Sequence, residues 1–537
     1  MRRFQLLFII LAFLIMLFLA FRLLPFAFDD AYIHFRIARN LAQLGRPYFN
    51  PEDPVMATSS PVWTFILAII ALTGISLPPA IAFLNSICTV AGAVAWTRCL
   101  NLLGDNIKSW VKALFAAACI GVMVHSSVGL METPLAMLLM ALTVMFLSQH
   151  RPCGWIYFAL AIFTRLELVV FLPVFAFVFL SGNLLQTAIP INAERRTQND
   201  EEKPRRAVIP VLYFAIPFCV LVILTLAFWG TLIPNTVRAK QVVYDLSKSL
   251  VFRMVFFHIF PERILAKISP FYIIVSAIVI FLVAALSRIP WSKLLHEWRG
   301  RWIISVGAGG ILIAAAYVMK DVFVHGWYAP LFVVPILFFF AVTASCHFLQ
   351  KAVFAFLLIT PFLTFMDYIA GAVYTPYYLN RGMGARVQRY LDVGEALRDV
   401  YPDARLMSSE IGALGYSFEG YVLDGLGLIT PEALDHHPLE VGTQRSHGAM
   451  GEIPLNYVKE AEPGIIVTYP ILAEEFGDPY IKDNYQKISV PAFSTRFQKR
   501  TREKSIYGSD HLDIYIREDT AEEEKVEKLE KLVVKNR

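Results

Sequence analysis

Phe28-Asp29-Asp30-Ala31-Tyr32-Ile33-His34-Phe35-Arg36-Ile37-Ala38-Arg39-Asn40 follows directly on the first long apolar run of the chain. Two adjacent carboxylates therefore stand where a chain leaving a bilayer meets water. Ionised groups at that depth are costly unless they face a cavity, a partner or a substrate. The residues after them favour helix, and at helical spacing Asp29, Tyr32 or Ile33, Arg36, and Arg39 or Asn40 share one side. That side offers an acid, an aromatic rim and two guanidinium groups. A carboxylate can take a proton from a hydroxyl, and arginines can hold a phosphate as a planar fork. The same residues also suit a plain interfacial helix with an Asp N-cap and basic groups at the lipid headgroups.

The rest of the chain favours a membrane setting. Of its 537 residues, 57% are hydrophobic and only 17% charged, which is too apolar for a soluble globular protein. The net charge of +5 is small, and no Lys/Arg cluster interleaves with aromatics, so nucleic acid is not an expected partner. The six cysteines show no CxxC spacing, which argues against a zinc site or a disulfide framework. Met1-Arg2-Arg3 and the apolar run behind it resemble a signal peptide, but the run is too long and lacks a small-residue cleavage site. It reads as a retained first membrane helix.

Apolar segments at roughly 4–24, 60–77, 79–103, 111–130, 132–149, 153–181, 208–229, 270–287, 302–319, 328–346 and 352–373 are each long enough to span, about eleven in all. Basic loops at 194–206 and 288–301 read as cytoplasmic. Counting from them puts Met1 inside, the first outer loop (25–58) outside, and the C-terminal region outside. Glu132 and the Arg165-Leu166-Glu167 group place charges where helices should lie, so they read as helix breaks or misplaced boundaries.

After residue 373 long apolar runs stop. β-like runs at 405–409, 421–424, 464–469 and 511–516, with a helical stretch at 388–398, predict a small α/β domain over 374–517. Residues 518–537 read as a charged, solvated helical tail. The expected fold is thus an all-α polytopic membrane domain, 1–373, followed by a small extracytoplasmic α/β domain and that tail.

Further polar groups gather near the expected outer ends of spans. Thr58-Ser59-Ser60-Pro61-Val62-Trp63 opens the second, Pro234-Asn235-Thr236-Val237-Arg238-Ala239-Lys240 follows the seventh, and His325-Gly326-Trp327-Tyr328 opens the tenth. With the Asp pair they would line an outward cavity holding a base and several phosphate donors. Taken singly, each also reads as a cap, a belt aromatic or a loop histidine.

Together these segments resemble the GT-C superfamily of membrane glycosyltransferases, in the terminal arabinofuranosyltransferase branch that carries Asp-Asp-Ala-Tyr-Ile in its first outer loop. The likeness covers Asp29–Ile33 with Arg36 and Asn40, Phe49-Asn50-Pro51 and Thr58–Trp63. It continues through Gly129–Pro134, Thr164–Glu167, Pro234–Lys240, Ile411–Tyr416 and Asp424–Leu428. Met131, Leu166 and His325-Gly326-Trp327-Tyr328 depart from the usual pattern and bear on the sugar more than on the chemistry.

The resemblance implies a polyprenyl-phosphate-linked sugar as donor, a cell-envelope glycan or glycolipid as acceptor, and inversion at the anomeric carbon. The implied base is Asp29, oriented by Asp30. Donor binding would fall to Tyr32, Arg36, Arg165, Asn235, Lys240 and His325. Ser59, Trp63, Glu132, Glu167, Trp327 and Tyr328 would line the acceptor side or the cavity. A divalent metal is compatible with the superfamily, and one Asp pair is too thin a ligand set to require it. The implied location is a bacterial inner membrane. A transporter or lipid-linked-sugar flippase using intramembrane carboxylates is the rival reading, and a scaffold without chemistry a third.

Overall fold

The computed structural model of the chain describes residues 2–104, 106–178, 203–244, 246–260, 271–344, 347–374, 383–440, 451–493 and 506–535. Residues 194–202 of the first basic loop, Cys346, and the 375–382 join between the two expected domains lie outside these. The chain is mostly helical, with one small C-terminal sheet.

The helical part contains α1 (Arg2–Arg22), α2 (Asp29–Leu44), α3 (Pro61–Leu72), α4 (Leu77–Leu103), α5 (Ser109–Val128), α6 (Thr133–Leu147) and α7 (Gly154–Thr164). It goes on with α8 (Leu166–Val178), α9 (Lys203–Trp229), α10 (Asn235–Val243), α11 (Lys248–Ile259), α12 (Phe271–Ser287) and α13 (Trp291–His296). It closes with α14 (Trp298–Met319), α15 (Pro330–Thr343), α16 (Phe348–Leu357) and α17 (Ile359–Val373). Among the described residues six helical stretches are long and apolar enough to cross a membrane, fewer than the eleven expected; six shorter apolar helices stand beside them.

Two boundaries are corrected. The run at 60–77 yields only the 12-residue α3, which ends before the chain turns back. Gly74, at φ +77°, then turns the chain into α4. That helix starts at the same end of the bundle: Asn85 donates to Ser127 O and Met131 O, at the α5–α6 turn, before Trp96 reaches Met137 O further down. The run at 153–181 is two helices broken at Arg165, whose extended backbone (φ −147°, ψ 108°) ends α7. α8 then runs back down beside α14, with Phe175 on Trp302 and Tyr317 on Glu167 marking its two ends. Hydropathy sees apolarity but not reversal, so a hairpin of two short helices looked like one long one.

The C-terminal part is α/β. It comprises α18 (Met383–Val400), β1 (Leu406–Ser408), α19 (Gly412–Phe418), β2 (Val422–Asp424), α20 (Leu455–Ala461), β3 (Ile465–Thr468), α21 (Pro479–Asn484), β4 (Tyr485–Pro491), β5 (His511–Arg517) and α22 (Glu523–Lys535). The sheet order is β2-β1-β3-β5-β4; β2, β1 and β3 are parallel, and β5 is antiparallel to both its neighbours. The four short runs read from sequence fall on β1, β2, β3 and β5. β4 escaped because only alternate residues turn inward on this edge strand, which hides it from a search for apolar runs.

The tail is not solvated. α22 lays Val526, Leu529 and Val533 into the core, and Arg389 of α18 donates to Val533 O at 3.3 Å. Leu529→Ala should therefore cost about 2–5 kcal/mol of stability, as buried Leu truncations do, whereas exposed Lys531→Ala should stay within about 0.5 kcal/mol. Limited proteolysis and thermal melts of the two purified variants would separate these outcomes.

Candidate active site

α2 has two working faces. Asp29, Tyr32, Arg36 and Arg39 lie on the one that packs against α19 of the C-terminal part. Both Asp29 oxygens are engaged: Gly412 N donates to Oδ2 at 2.9 Å and Ala413 N to Oδ1 at 2.8 Å. A Cβ at Gly412 would lie 2.0 Å from Asp29 O, so only glycine permits this approach. One end of α19 is thus met by an acid and the other by arginines. Arg36, wholly buried, donates to Gly415 O, Gly420 O and Phe49 O and lies over the Phe49 ring. Arg39 pairs with Glu419 and Tyr416 O. Tyr32 packs on Phe35 and Tyr416.

These contacts show how three of the expected site residues are engaged. The Arg36 guanidinium is engaged by carbonyls and has no geometry left for a phosphate fork, Tyr32 is an interface aromatic, and the Asp29 carboxylate is turned away from the membrane domain. Asn235, expected on the donor, is a fourth case: its amide donates to Gly427 O at 2.6 Å and Leu428 O at 3.0 Å. The face that carries the arginines is the docking face.

The second face carries Asp30 and, one turn on, His34. His34 Nδ1 lies 3.3 Å from Thr58 Oγ1, and its Nε2 is 3.9 Å from Glu132 Oε2. The other Glu132 oxygen takes the Arg165 guanidinium, which also forks onto Glu167 at 3.2 and 2.6 Å. Tyr317 donates to Glu167 at 3.2 Å. The Arg165 guanidinium carbon sits 4.4 Å over the Tyr328 ring, and the Tyr328 hydroxyl accepts from Lys240 Nζ at 2.7 Å. His325 stacks on Trp327 at 4.2 Å, and Phe28 packs against the same indole. Residues from α2, the α5–α6 turn, the α7–α8 break, α10 and the α14–α15 connection therefore meet in one place.

The charges in this cluster are unequal in availability. Arg165 is neutralised by two carboxylates. Burial pulls both His34 and His325 below the usual histidine range, so both are neutral near pH 7. Lys240 has a neutral phenol as its hydrogen-bond partner. Half-buried Asp30 makes no hydrogen bond or ion pair among the described residues, yet lies within electrostatic reach of Lys240, His34 and Tyr244. Asp30, one turn from His34, thus adds to this cluster an acid without a hydrogen bond or ion pair among the described residues. Glu132 Oε2 and the Trp327 Nε1 are buried without hydrogen-bond partners at the same place.

Trp63 is wholly buried, Ser59 is half-buried in the loop before α3, and Arg238 is exposed on α10. Among the described residues no three His, Cys, Asp or Glu side chains gather as a metal ion would require. His34, Tyr317 and Tyr244 were passed over in the sequence. The i, i+4 spacing of Asp30 and His34, on the side of α2 away from Arg36, is the signal that could have found the first of these.

Residues 379–515 match the model of a domain of unknown function, DUF8728, and that match takes in α19, whose ends α2 holds. No curated protein matches the chain.

Burial, and next the nearby Glu410 charge, push Asp29 up from 3.8 to about 7. An acid raised in the folded state loses relative stability as pH climbs between the unfolded and folded values. The melting temperature of wild type minus that of Asp29→Asn should therefore be largest near pH 4 and shrink until about pH 7, then stay level. A gap independent of pH across that window would show that Asp29 does not titrate there.

Proposed function

We propose that the protein is an inverting membrane glycosyltransferase that moves a sugar from a polyprenyl phosphate to an envelope glycan outside the membrane. The observation that carries this reading is Asp30, without a hydrogen bond or ion pair among the described residues, one turn of α2 from His34 in the cluster that gathers Arg165 and Lys240. In the reaction, the acceptor oxygen attacks the anomeric carbon while Asp30 takes the hydroxyl proton. The bond from that carbon to the phosphate oxygen breaks, its electron pair stays on the phosphate, and polyprenyl phosphate leaves against Lys240 and the Tyr328 hydroxyl. A single displacement needs one base, and Asp29 is already engaged by Gly412 and Ala413. The Glu132–Arg165–Glu167 group serves as a buried frame that fixes Tyr328 and so Lys240.

The membrane arrangement belongs to the same proposal. With α3 left on the outer side and 153–181 divided in two, eleven crossings are α1, α4, α5, α6, α7, α8, α9, α12, α14, α15 and the α16–α17 pair. That keeps Met1 cytoplasmic and the C-terminal domain outside. Thr73→Cys, in the exposed α3–α4 turn, should then react with a membrane-impermeant maleimide added to whole spheroplasts. Labelling only after lysis would return 60–77 to a crossing.

Purified variants should be assayed separately for binding and turnover with polyprenyl-phosphate sugars. Asp30→Asn should lower turnover about 10²–10⁴-fold, the usual cost of losing a general base, with donor binding kept. Lys240→Ala should weaken donor binding as well. Near wild-type turnover in Asp30→Asn would remove Asp30 as the base. The rival transporter reading draws on the buried carboxylates Glu132 and Glu167. It predicts proton-coupled flux that Glu132→Gln abolishes, with no glycoside product.

A further inference from the structure

The C-terminal sheet has a site that the chemistry above does not use. β2 and β3 lie on opposite sides of β1, and in parallel sheets the crevice beyond the carboxyl ends of such diverging strands is where ligands bind. β1 runs into Ser409 and Glu410 at that edge, and β3 runs into Tyr469. Arg386 and Tyr390 of α18 reach it, and Tyr507, 42% exposed, stands at its outer side.

The groups are arranged around one carboxylate. Glu410 Oε1 accepts from Arg386 Nε at 2.7 Å and from the Tyr507 hydroxyl at 3.1 Å, and the Arg386 guanidinium lies 5.5 Å over the Tyr507 ring. Tyr469 meets Tyr390 at 5.8 Å and Tyr507 at 5.7 Å, both edge to face. Two buried polar atoms are left over: the Tyr390 hydroxyl and Glu410 Oε2 have no hydrogen-bond partner among the described residues. Tyr390 is wholly buried and senses the Glu410 charge, yet this donor and this acceptor do not bond to each other. Leaving both unpaired is costly unless a ligand's polar groups lie between them.

The chemistry narrows the ligand. Arg386 is already paired with Glu410, so a phosphate or carboxylate meets no uncommitted cation. Asp29 and Glu410 make only two carboxylates, too few for a metal ion. What remains is a mixture of hydroxyl donors, a carboxylate acceptor and tyrosine rings, which suits a neutral polyhydroxylated ring. We infer that this crevice is a sugar-binding subsite of the C-terminal domain. It takes a neutral glycosyl unit, and it abuts Asp29 on the docking face of α2 while the reacting groups lie on the other face. Its assignment to the acceptor glycan rests on the transferase reading; its affinity for sugar does not.

The test uses the full-length protein in detergent micelles and saturation-transfer NMR with two probe sets, methyl pentofuranosides and methyl hexopyranosides. Wild type should show transfer to at least one set. Tyr390→Phe, which removes one oxygen with no hydrogen-bond partner among the described residues, should weaken binding about tenfold or more without a change in melting temperature. Absence of transfer to every probe, or wild-type affinity in Tyr390→Phe, overturns the inference. If the sugars bind as described while Asp30→Asn keeps its turnover, the transferase reading fails and the subsite stands.

Discussion

The structure depends on one helix held from outside. α2 meets the first turn of α19 with the Asp29 carboxylate and its far end with Arg36 and Arg39, so acid and base complement the two ends of α19. The Asp29 and Arg36 contacts are almost fully buried, and a buried charge that lost its partner would be costly. With Asp29 turned to α19, Asp30 stands about 100° further round α2, on the side that carries His34. The pair is therefore divided: Asp29 holds α19, and Asp30 is left without a hydrogen bond or ion pair among the described residues.

The same domain also holds α10. Asn235 donates to the Gly427 and Leu428 carbonyls, whose loop is tied down by Asp424 accepting from Leu426 N and Leu428 N. Ala239 and Val243 pack on Leu426 and Leu434 beside it. Lys240 thus hangs from a helix positioned by the C-terminal domain, as Asp30 does. A domain that grips both helices fixes how Asp30 and Lys240 are carried relative to each other.

Much of this was legible beforehand, in uneven ways. Apolar runs located the helices, and the compositional change after residue 373 marked the α/β part. The motif residues around Arg165, Lys240 and His325 meet in the fold although they are far apart in the chain. What misled was choosing a helix face by its arginines. Spacing places Arg36 beside Asp29, but only tertiary structure shows that backbone carbonyls 379 and 384 residues away take up its donors. In the same way, nothing local marks Asn235 as a tether rather than a ligand. The charges of α22 suggest a solvated helix, yet its Val526, Leu529 and Val533 stripe is buried.

The central claim is that the two faces of α2 divide support from chemistry. A cryo-EM structure of Asp30→Asn, trapped with a polyprenyl-phosphate sugar, tests it most directly. The account predicts the donor phosphate within hydrogen-bonding distance of Lys240 Nζ and the Tyr328 hydroxyl. The substituted amide side chain should then face the anomeric carbon from the acceptor side, with Asp29 still bonded to Gly412 N and Ala413 N. A phosphate seated on Arg36, with α19 displaced from α2, would contradict it.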